Sequence, residues 1–424
     1  MKYKFQNTTL KNGLNTVIVP IPSSNVVSTF VLFGVGSRYE EDNLAGIAHV
    51  LEHMHFKGTT KRPQAKDISE YIESIGGEHN AYTSKEYTGY YAKVAAKHLE
   101  KSFDFLSDLV LNPLFDVNEL AKEKHVIYQE LDMLRDMPSA IVSNKFDEAV
   151  FDRNALGREI IGTRESIGAI GRDDLIDFRK KYYVASNAVV AVVGNITNIE
   201  ETLSLLEKYF VFESGKRAVV DSSDMTRQRR SIITNKKTEQ SQIIIGFRGA
   251  SSMDDDKYAL KILALILGGS MSSRMFEEIR EKRNLAYSIH TASSSYLDTG
   301  IIETQAGVAH DKVAEAIEAI MAEYSKIKSL GVTDFELQKA KDIITGAMLI
   351  GFEDTGELAE YFTRQALLNS SILAPDESLV KSNAVTCSDV LRVANKYLRD
   401  ETLTMSLVGP WKKSETKFDK LLKI

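Results

Sequence analysis

Cysteine is nearly absent from this chain. Cys387 is the only one in 424 residues, so no internal disulfide and no cysteine-rich metal site can form. That scarcity fits a reducing compartment. Proline is also scarce, and seven residues leave no Pro-rich linkers. Charge of one sign is nowhere concentrated: 53 Lys and Arg and 59 Asp and Glu give a net charge of −6, spread along the chain. Without a basic stripe, nucleic acid is excluded as the main partner; an acidic balance suits solubility or a basic ligand. Long apolar runs are missing too. The longest, near 188–193 and 262–267, fall far short of the ~18 residues that span a bilayer. No apolar stretch follows Lys2 and Lys4, so neither a membrane span nor a signal peptide is expected. With 43% hydrophobic and 26% charged residues the composition excludes disorder, and the length predicts two or three domains.

What is present is one pattern written twice. Asn12-Gly13 is the strongest short turn signal and predicts a hairpin of 8–10 with 14–19. A strand at 26–33 follows, then helices at 44–56 and 65–75, a strand-like stretch at 80–94 and a helix at 98–111. A long amphipathic helix covers 118–136 and stops before Pro138. A strand at 187–193 and a helix at 199–209 close the unit. The second half repeats this order. The stretch 241–248 matches 28–35, displaced by 213. Glu336-Leu337-x-Lys339-x-Lys341 matches Glu119-Leu120-x-Lys122-x-Lys124, displaced by 217, and Val408-Gly409 matches Val193-Gly194, displaced by 215. These near-equal offsets predict two homologous domains, 1–212 and 232–424, joined by a polar linker at 213–231. The fold class is α+β: each domain is a mixed, mostly antiparallel sheet with helices packed on one face.

The sharpest motif is His49-Val50-Leu51-Glu52-His53. Two histidines four apart on a helix project from one face, one turn apart, and can share a Zn²⁺. Glu52 lies on the same side, placed to hydrogen-bond a metal-held water. The order H-x-x-E-H inverts the usual zinc-peptidase motif. A catalytic zinc takes a third protein ligand, and the long helix offers Glu123 and Glu130. Seven residues is about two turns, so both carboxylates share a face, in a stripe with Val126, Ile127 and Leu134. One could ligate while the other holds a ligand histidine. In the second copy His49, Glu52 and His53 fall on Ile262, Leu265 and Ile266, and Glu123 and Glu130 on Ala340 and Ala347. A scaffold that loses all five polar groups together does not need them to fold, so they read as a site. His55 and His79 lack ligand spacing and read as ordinary polar residues.

These motifs resemble the pitrilysin-type inverted zinc-motif metallopeptidases, and most the half-length, processing-peptidase β-subunit-like branch. The resemblance runs from Leu10-x-Asn12-Gly13-Leu14 to Val408-Gly409-Pro410. It implies that Glu130, 77 residues after His53, is the third ligand and that Glu123 is the auxiliary glutamate. Glu52 is then the general base, and one Zn²⁺ is held per chain. Gly77-x-x-Asn80-Ala81-Tyr82-Thr83 resembles the family's substrate-binding edge strand, which makes Asn80, Ala81 and Tyr82 substrate-binding residues. The stretch from Arg280 to Tyr287 resembles the signature whose Arg and Tyr contact substrate or its tetrahedral intermediate. A zinc endopeptidase acting on short or unfolded, basic, presequence-like peptides is the implied function. The family's four-domain chamber implies a dimer of this two-domain chain, with Arg280 and Tyr287 acting on the partner's site. A homodimer is the first expectation; the alternative is a catalytic subunit active only beside a homologous, non-catalytic chain. A metal hydrolase of non-peptide substrates is a further alternative, and would leave the 80–83 strand without a role. The compartment is expected to be the bacterial cytosol, or the mitochondrial matrix if a presequence has been removed.

Overall fold

Strands β1 (Gln6–Thr9), β2 (Asn15–Pro20), β3 (Val26–Phe33), β4 (Glu78–Thr83), β5 (Thr88–Ala95) and β6 (Ala188–Gly194) form one sheet in the order 1-2-6-3-5-4. Strands β7 (Ser231–Asn235), β8 (Ser241–Gly249), β9 (Ala286–Ser295), β10 (Gly300–Val308) and β11 (Thr404–Gly409) form a second, in the order 7-11-8-10-9. Setting β1 aside, the two orders are the same. In each sheet one pair is parallel, β2 with β6 and β7 with β11, and the other pairs are antiparallel. The sequence repeat is thus a repeat of topology, and the class is α+β with mixed sheets. The computed structural model describes residues 3–152, 154–219, 230–369, 371–412 and 417–424.

The compact units are not the contiguous stretches 1–212 and 232–424. The first gathers Met1–Leu131, Arg158–Asp221 and Met348–Asp376; the second gathers Asp132–Gly157, Ser222–Ala347 and Glu377–Ile424. Each sequence repeat has given up one helix. Helix Thr355–Leu368 lies on the first sheet, packing Leu358, Ala359 and Phe362 against Val17, Val19, Phe30 and Leu32. Helix Pro138–Phe151 lies on the second, packing Val142, Phe146 and Val150 against Ile244, Ile301 and Val408. Pro138 does not only end the preceding helix. It opens this one, at the first helical position, where its missing N–H costs nothing.

The exchanged helix also changes the expectation of helices on one face. In the first unit Thr29 Oγ1 meets Ser102 Oγ at 2.9 Å on helix Leu99–Leu111. Its neighbour Ser28 meets Thr355 Oγ1 at 2.8 Å. Adjacent strand residues point to opposite faces, so both faces of β3 are covered. This explains why β6, Ala-Val-Val-Ala-Val-Val-Gly, is buried at every position. The predicted strand at 80–94 is a hairpin, β4 and β5. Its turn is set by Ser84, whose Oγ accepts from the N–H groups of Glu86 (3.3 Å) and Tyr87 (3.1 Å). Residues 220–229 of the expected linker lie outside the described residues. Residues before them are tied to the first unit: Ser186 Oγ donates to Gly215 O at 2.7 Å and Arg217 to Leu367 O.

Candidate metal centre and active site

Helix α1 (Ile47–His55) carries the motif. Ile47, Val50, Leu51 and Met54 are at most 1% exposed, which anchors one face and turns His49, Glu52 and His53 the other way. Helix α1 neighbours β4, and helix α2 (Ala65–Glu73) leads into that strand. Helix α3 (Leu99–Leu111) backs β5, and the long helix α4 (Val117–Asp136) brings the two glutamates.

The five polar residues of the motif and of α4 meet. His49 Nε2 lies 3.8 Å and His53 Nε2 3.7 Å from Glu130 Oε2. These separations are too long for hydrogen bonds. A tetrahedral zinc with bonds of about 2.0–2.1 Å would hold its ligand atoms roughly 3.4 Å apart, so the three atoms stand close to where an ion would place them. One ligand atom from each of His49, His53 and Glu130 lies within 4.8 Å of the others, and this is the single such cluster among the described residues. The set is two imidazoles and one carboxylate, three protein donors with a position left for water or substrate, which suits catalytic zinc.

Glu123 makes different contacts. Its Oε1 lies 2.8 Å from His53 Nδ1 and its Oε2 2.7 Å from Lys57 Nζ. A carboxylate only accepts, so Nδ1 carries the proton and the Nε2 lone pair faces the cluster. Burial works against the charge on Glu123, but the hydrogen bonds from His53 and Lys57 outweigh it and hold its pKa below the ordinary value. For His53 burial likewise opposes the charged form, and the bond to Glu123 with the surrounding carboxylates raises its pKa overall. His49 goes the other way, down to about 3, through burial and then the nearby His53. It is kept as a neutral imidazole, the ligating form.

Glu52 hydrogen-bonds Thr83 Oγ1 at 2.5 Å, at the end of β4. Burial raises its pKa, and the charge of Glu130 adds to this against the pull of Thr83 and His53. A raised pKa makes the ionised carboxylate a stronger proton acceptor. β4 is one of the two edge strands of its sheet. Along it, Tyr82 turns to the face covered by helix Thr355–Leu368, where its hydroxyl donates to Glu360 Oε1 at 2.9 Å. Asn80 Oδ1 accepts from Ala81 N at 2.9 Å.

Arg280 and Tyr287 stand in the second unit. Arg280 is on a π-helical segment, Phe276–Lys282, rather than an ordinary helix end, and Tyr287 is the second residue of β9. The guanidinium carbon is 5.9 Å from the Tyr287 ring centre, and Tyr287 is 75% exposed. In that unit Ile262 and Ile266, the counterparts of the two histidines, are buried apolar packing.

Three expectations change. Val126 does not share the stripe with the glutamates: it is 47% exposed, and the buried positions of α4 are Leu120, Glu123, Ile127 and Leu131. His55 is not an ordinary polar residue. It is fully buried, its Nδ1 lies 2.8 Å from Leu51 O and 3.0 Å from Tyr90 Oη, and burial lowers its pKa to about 3. His79 stacks on Phe56 and meets Phe105 at a tilt. Thr83, Lys57 and Glu40 were not singled out as functional from sequence. Thr83 stood inside the 80–83 motif, but Lys57 and Glu40 carry no motif of their own.

Comparison with known proteins agrees with this geometry. Residues 16–164 match the insulinase family (peptidase family M16), and residues 169–344 match the peptidase M16 inactive domain. An uncharacterized zinc protease of Bacillus subtilis, YmxG, is 34% identical over 95% of this chain and 97% of its own length. An uncharacterized zinc protease of Streptomyces coelicolor is 33% identical over 96% and 90%. The crystal structure of a protease from Helicobacter pylori superposes with a TM-score of 0.89 at 25% identity, over 96% of this chain and all of that one. Near-complete coverage at this identity, together with an inverted H-x-x-E-H helix meeting a glutamate on α4, makes this chain a zinc metalloprotease of the M16 (insulinase) peptidase family.

Proposed function

We propose that the chain is an endopeptidase for short or unfolded peptides, with His49, His53 and Glu130 holding the metal and Glu52 moving the proton. The observation that carries this is the convergence of three donor atoms on one point, with Glu52 on the same helix and hydrogen-bonded to the end of a free strand edge. Zinc held there would supply Lewis acidity toward water and toward the scissile carbonyl. The chain's own residues do the rest. The edge of β4 over Asn80, Ala81 and Tyr82 offers its outward backbone groups, alternate along the strand, to an extended peptide, which adds to the sheet as another strand. Thr83 orients Glu52 beside that strand. Glu52 takes the proton of the attacking water and returns it to the leaving amine. Glu123 fixes the tautomer and bearing of His53. Arg280, half-buried, and the exposed Tyr287 beside it donate to substrate, in a dimer from the partner copy.

A net charge of −6 supports basic substrates. Among the described residues no helix is long and apolar enough to cross a membrane, and the bacterial relatives favour a cytoplasmic enzyme. The test is hydrolysis of an unfolded basic peptide by the purified chain, by chelator-treated protein and by Glu52→Gln. Turnover by wild type alone, with Glu52→Gln slowed ~10²–10⁴-fold at unchanged zinc content, supports the reading. Zinc binding without turnover would sink the self-sufficient homodimer and favour a subunit that needs a non-catalytic homologue.

A further inference from the structure

Helix α1 is only nine residues long, and three of them bear the chemistry. A helix that short does not hold its shape unaided. Its cap residue, Gly46, has no side chain to offer and sits at φ +94°. A Cβ there would come within 2.5 Å of Ile161 O, so no Ser, Thr, Asp or Asn could cap the helix from this position. The cap comes instead from Glu40. Its Oε2 accepts from Gly46 N and its Oε1 from Ala48 N, both at 2.8 Å, and the residue is 6% exposed. His49 follows Ala48 directly.

Glu40 is itself pinned on the side of the substrate strand. Arg158 Nη2 donates to Glu40 O at 2.7 Å and Ser37 O at 3.2 Å. The backbone of Ser37 and Arg38 bonds to Ser84 O (3.1 Å) and Lys85 O (2.8 Å), and Arg38 pairs with Glu86 at 2.7 Å, both side chains buried. That is the β4–β5 turn, which begins one residue after Thr83. The second unit is arranged differently. Its corresponding helix, Asp256–Gly268, has thirteen residues, and nearby Asp254 Oδ1 accepts from Asp256 N at 2.9 Å.

We propose that Glu40 is a positioning residue of the metal centre: its buried carboxylate sets the first turn of α1, and so the bearing of His49, against the turn that follows Thr83. This rests on the assignment of His49 as a ligand. The test measures zinc affinity of the apo-protein by competition with a chromophoric chelator, with a urea midpoint for each variant. Glu40→Ala is expected to weaken zinc about 10-fold or more, the usual range for groups that orient a ligand. Glu40→Gln, which keeps one acceptor, is expected to lose less. Asp254→Ala removes a helix contact in the other unit and is expected to lower the urea midpoint while leaving zinc affinity alone. A folded Glu40→Ala with wild-type zinc affinity overturns the proposal, as does an equal loss in Asp254→Ala. If Glu40→Ala does not fold, Glu40→Gln decides: unchanged affinity overturns, a loss of several-fold supports. His49→Ala separates the two readings. If it binds zinc like wild type, the ligand assignment fails; if it does not bind and the Glu40 variants are normal, only this inference fails.

Discussion

Substituting Glu123 by glutamine tests the division of labour between the two glutamates of α4. In the structure Glu123 is 5% exposed and bridges His53 Nδ1 and Lys57 Nζ at 2.8 and 2.7 Å. Glutamine keeps one acceptor and the volume, but loses the charge and turns an NH₂ toward one of the two donors. Groups that orient a metal ligand typically contribute 10–100-fold in affinity, which is about 1.4–2.8 kcal/mol. Lys57 is 26% exposed and can regain water, so the stability loss should stay near 1 kcal/mol. Glu130→Ala removes one of three donors outright and should cost more than 100-fold. The expected order of zinc affinity is wild type, then Glu123→Gln, then Glu130→Ala, read by chelator competition at fixed pH and salt. Wild-type affinity in Glu123→Gln would refute the orienting role. A reversed order, with Glu123→Gln the weaker, would show that the ligand is Glu123.

Three more outcomes are expected. Burial pushes the Glu40 pKa up to about 7, against the N–H groups of Gly46 and Ala48 and the charges of Arg158 and Lys85. A raised acid holds a proton in the folded state that the unfolded chain has released, so its contribution is greatest below about pH 4.3 and declines as pH rises to about 7. Urea unfolding of wild type should therefore lose up to ~3 kcal/mol between pH 4.5 and 8 from this group; a Glu40→Gln variant with the same slope would refute it. Phe362 is fully buried against the first sheet, and Phe362→Ala should destabilise by ~3–5 kcal/mol in urea unfolding; a loss under 1 kcal/mol would mean that the exchanged helix is not part of that core. Finally, N-methylation of substrate amides next to the cleaved bond should lower kcat/KM about tenfold per lost strand bond. Unchanged turnover of such peptides would rule out pairing on β4.

The metal helix was legible because its information is local. His49 and His53 are one turn apart, and helical geometry alone puts them on one face. The long helix was legible too, to within one residue at its start. Which of its glutamates ligates was not, since both spacings fit; the resemblance chose Glu130, and its Oε2 is the atom that faces both imidazoles. Val126 was misplaced because an apolar side chain on an amphipathic helix need not lie on the buried stripe. The 80–94 stretch was read as one strand because its turn is built from Ser84, Lys85, Glu86 and Tyr87, with no Gly or Pro to mark it.

By itself the sequence determined the repeat and the residue types: which of them stand at helical spacing, and that the second copy lacks them. Those are properties of periodicity and pattern, which survive without knowing what any segment touches. Tertiary structure decided everything that depends on contacts between distant segments. It placed Pro138–Phe151 and Thr355–Leu368 on the opposite repeats' sheets, although an apolar helix face says only that some partner exists. It set Thr83 against Glu52, Lys57 against Glu123 and the Glu40 carboxylate against the first turn of α1. A buried polar group must find a partner, but which partner is decided only when the chain closes on itself.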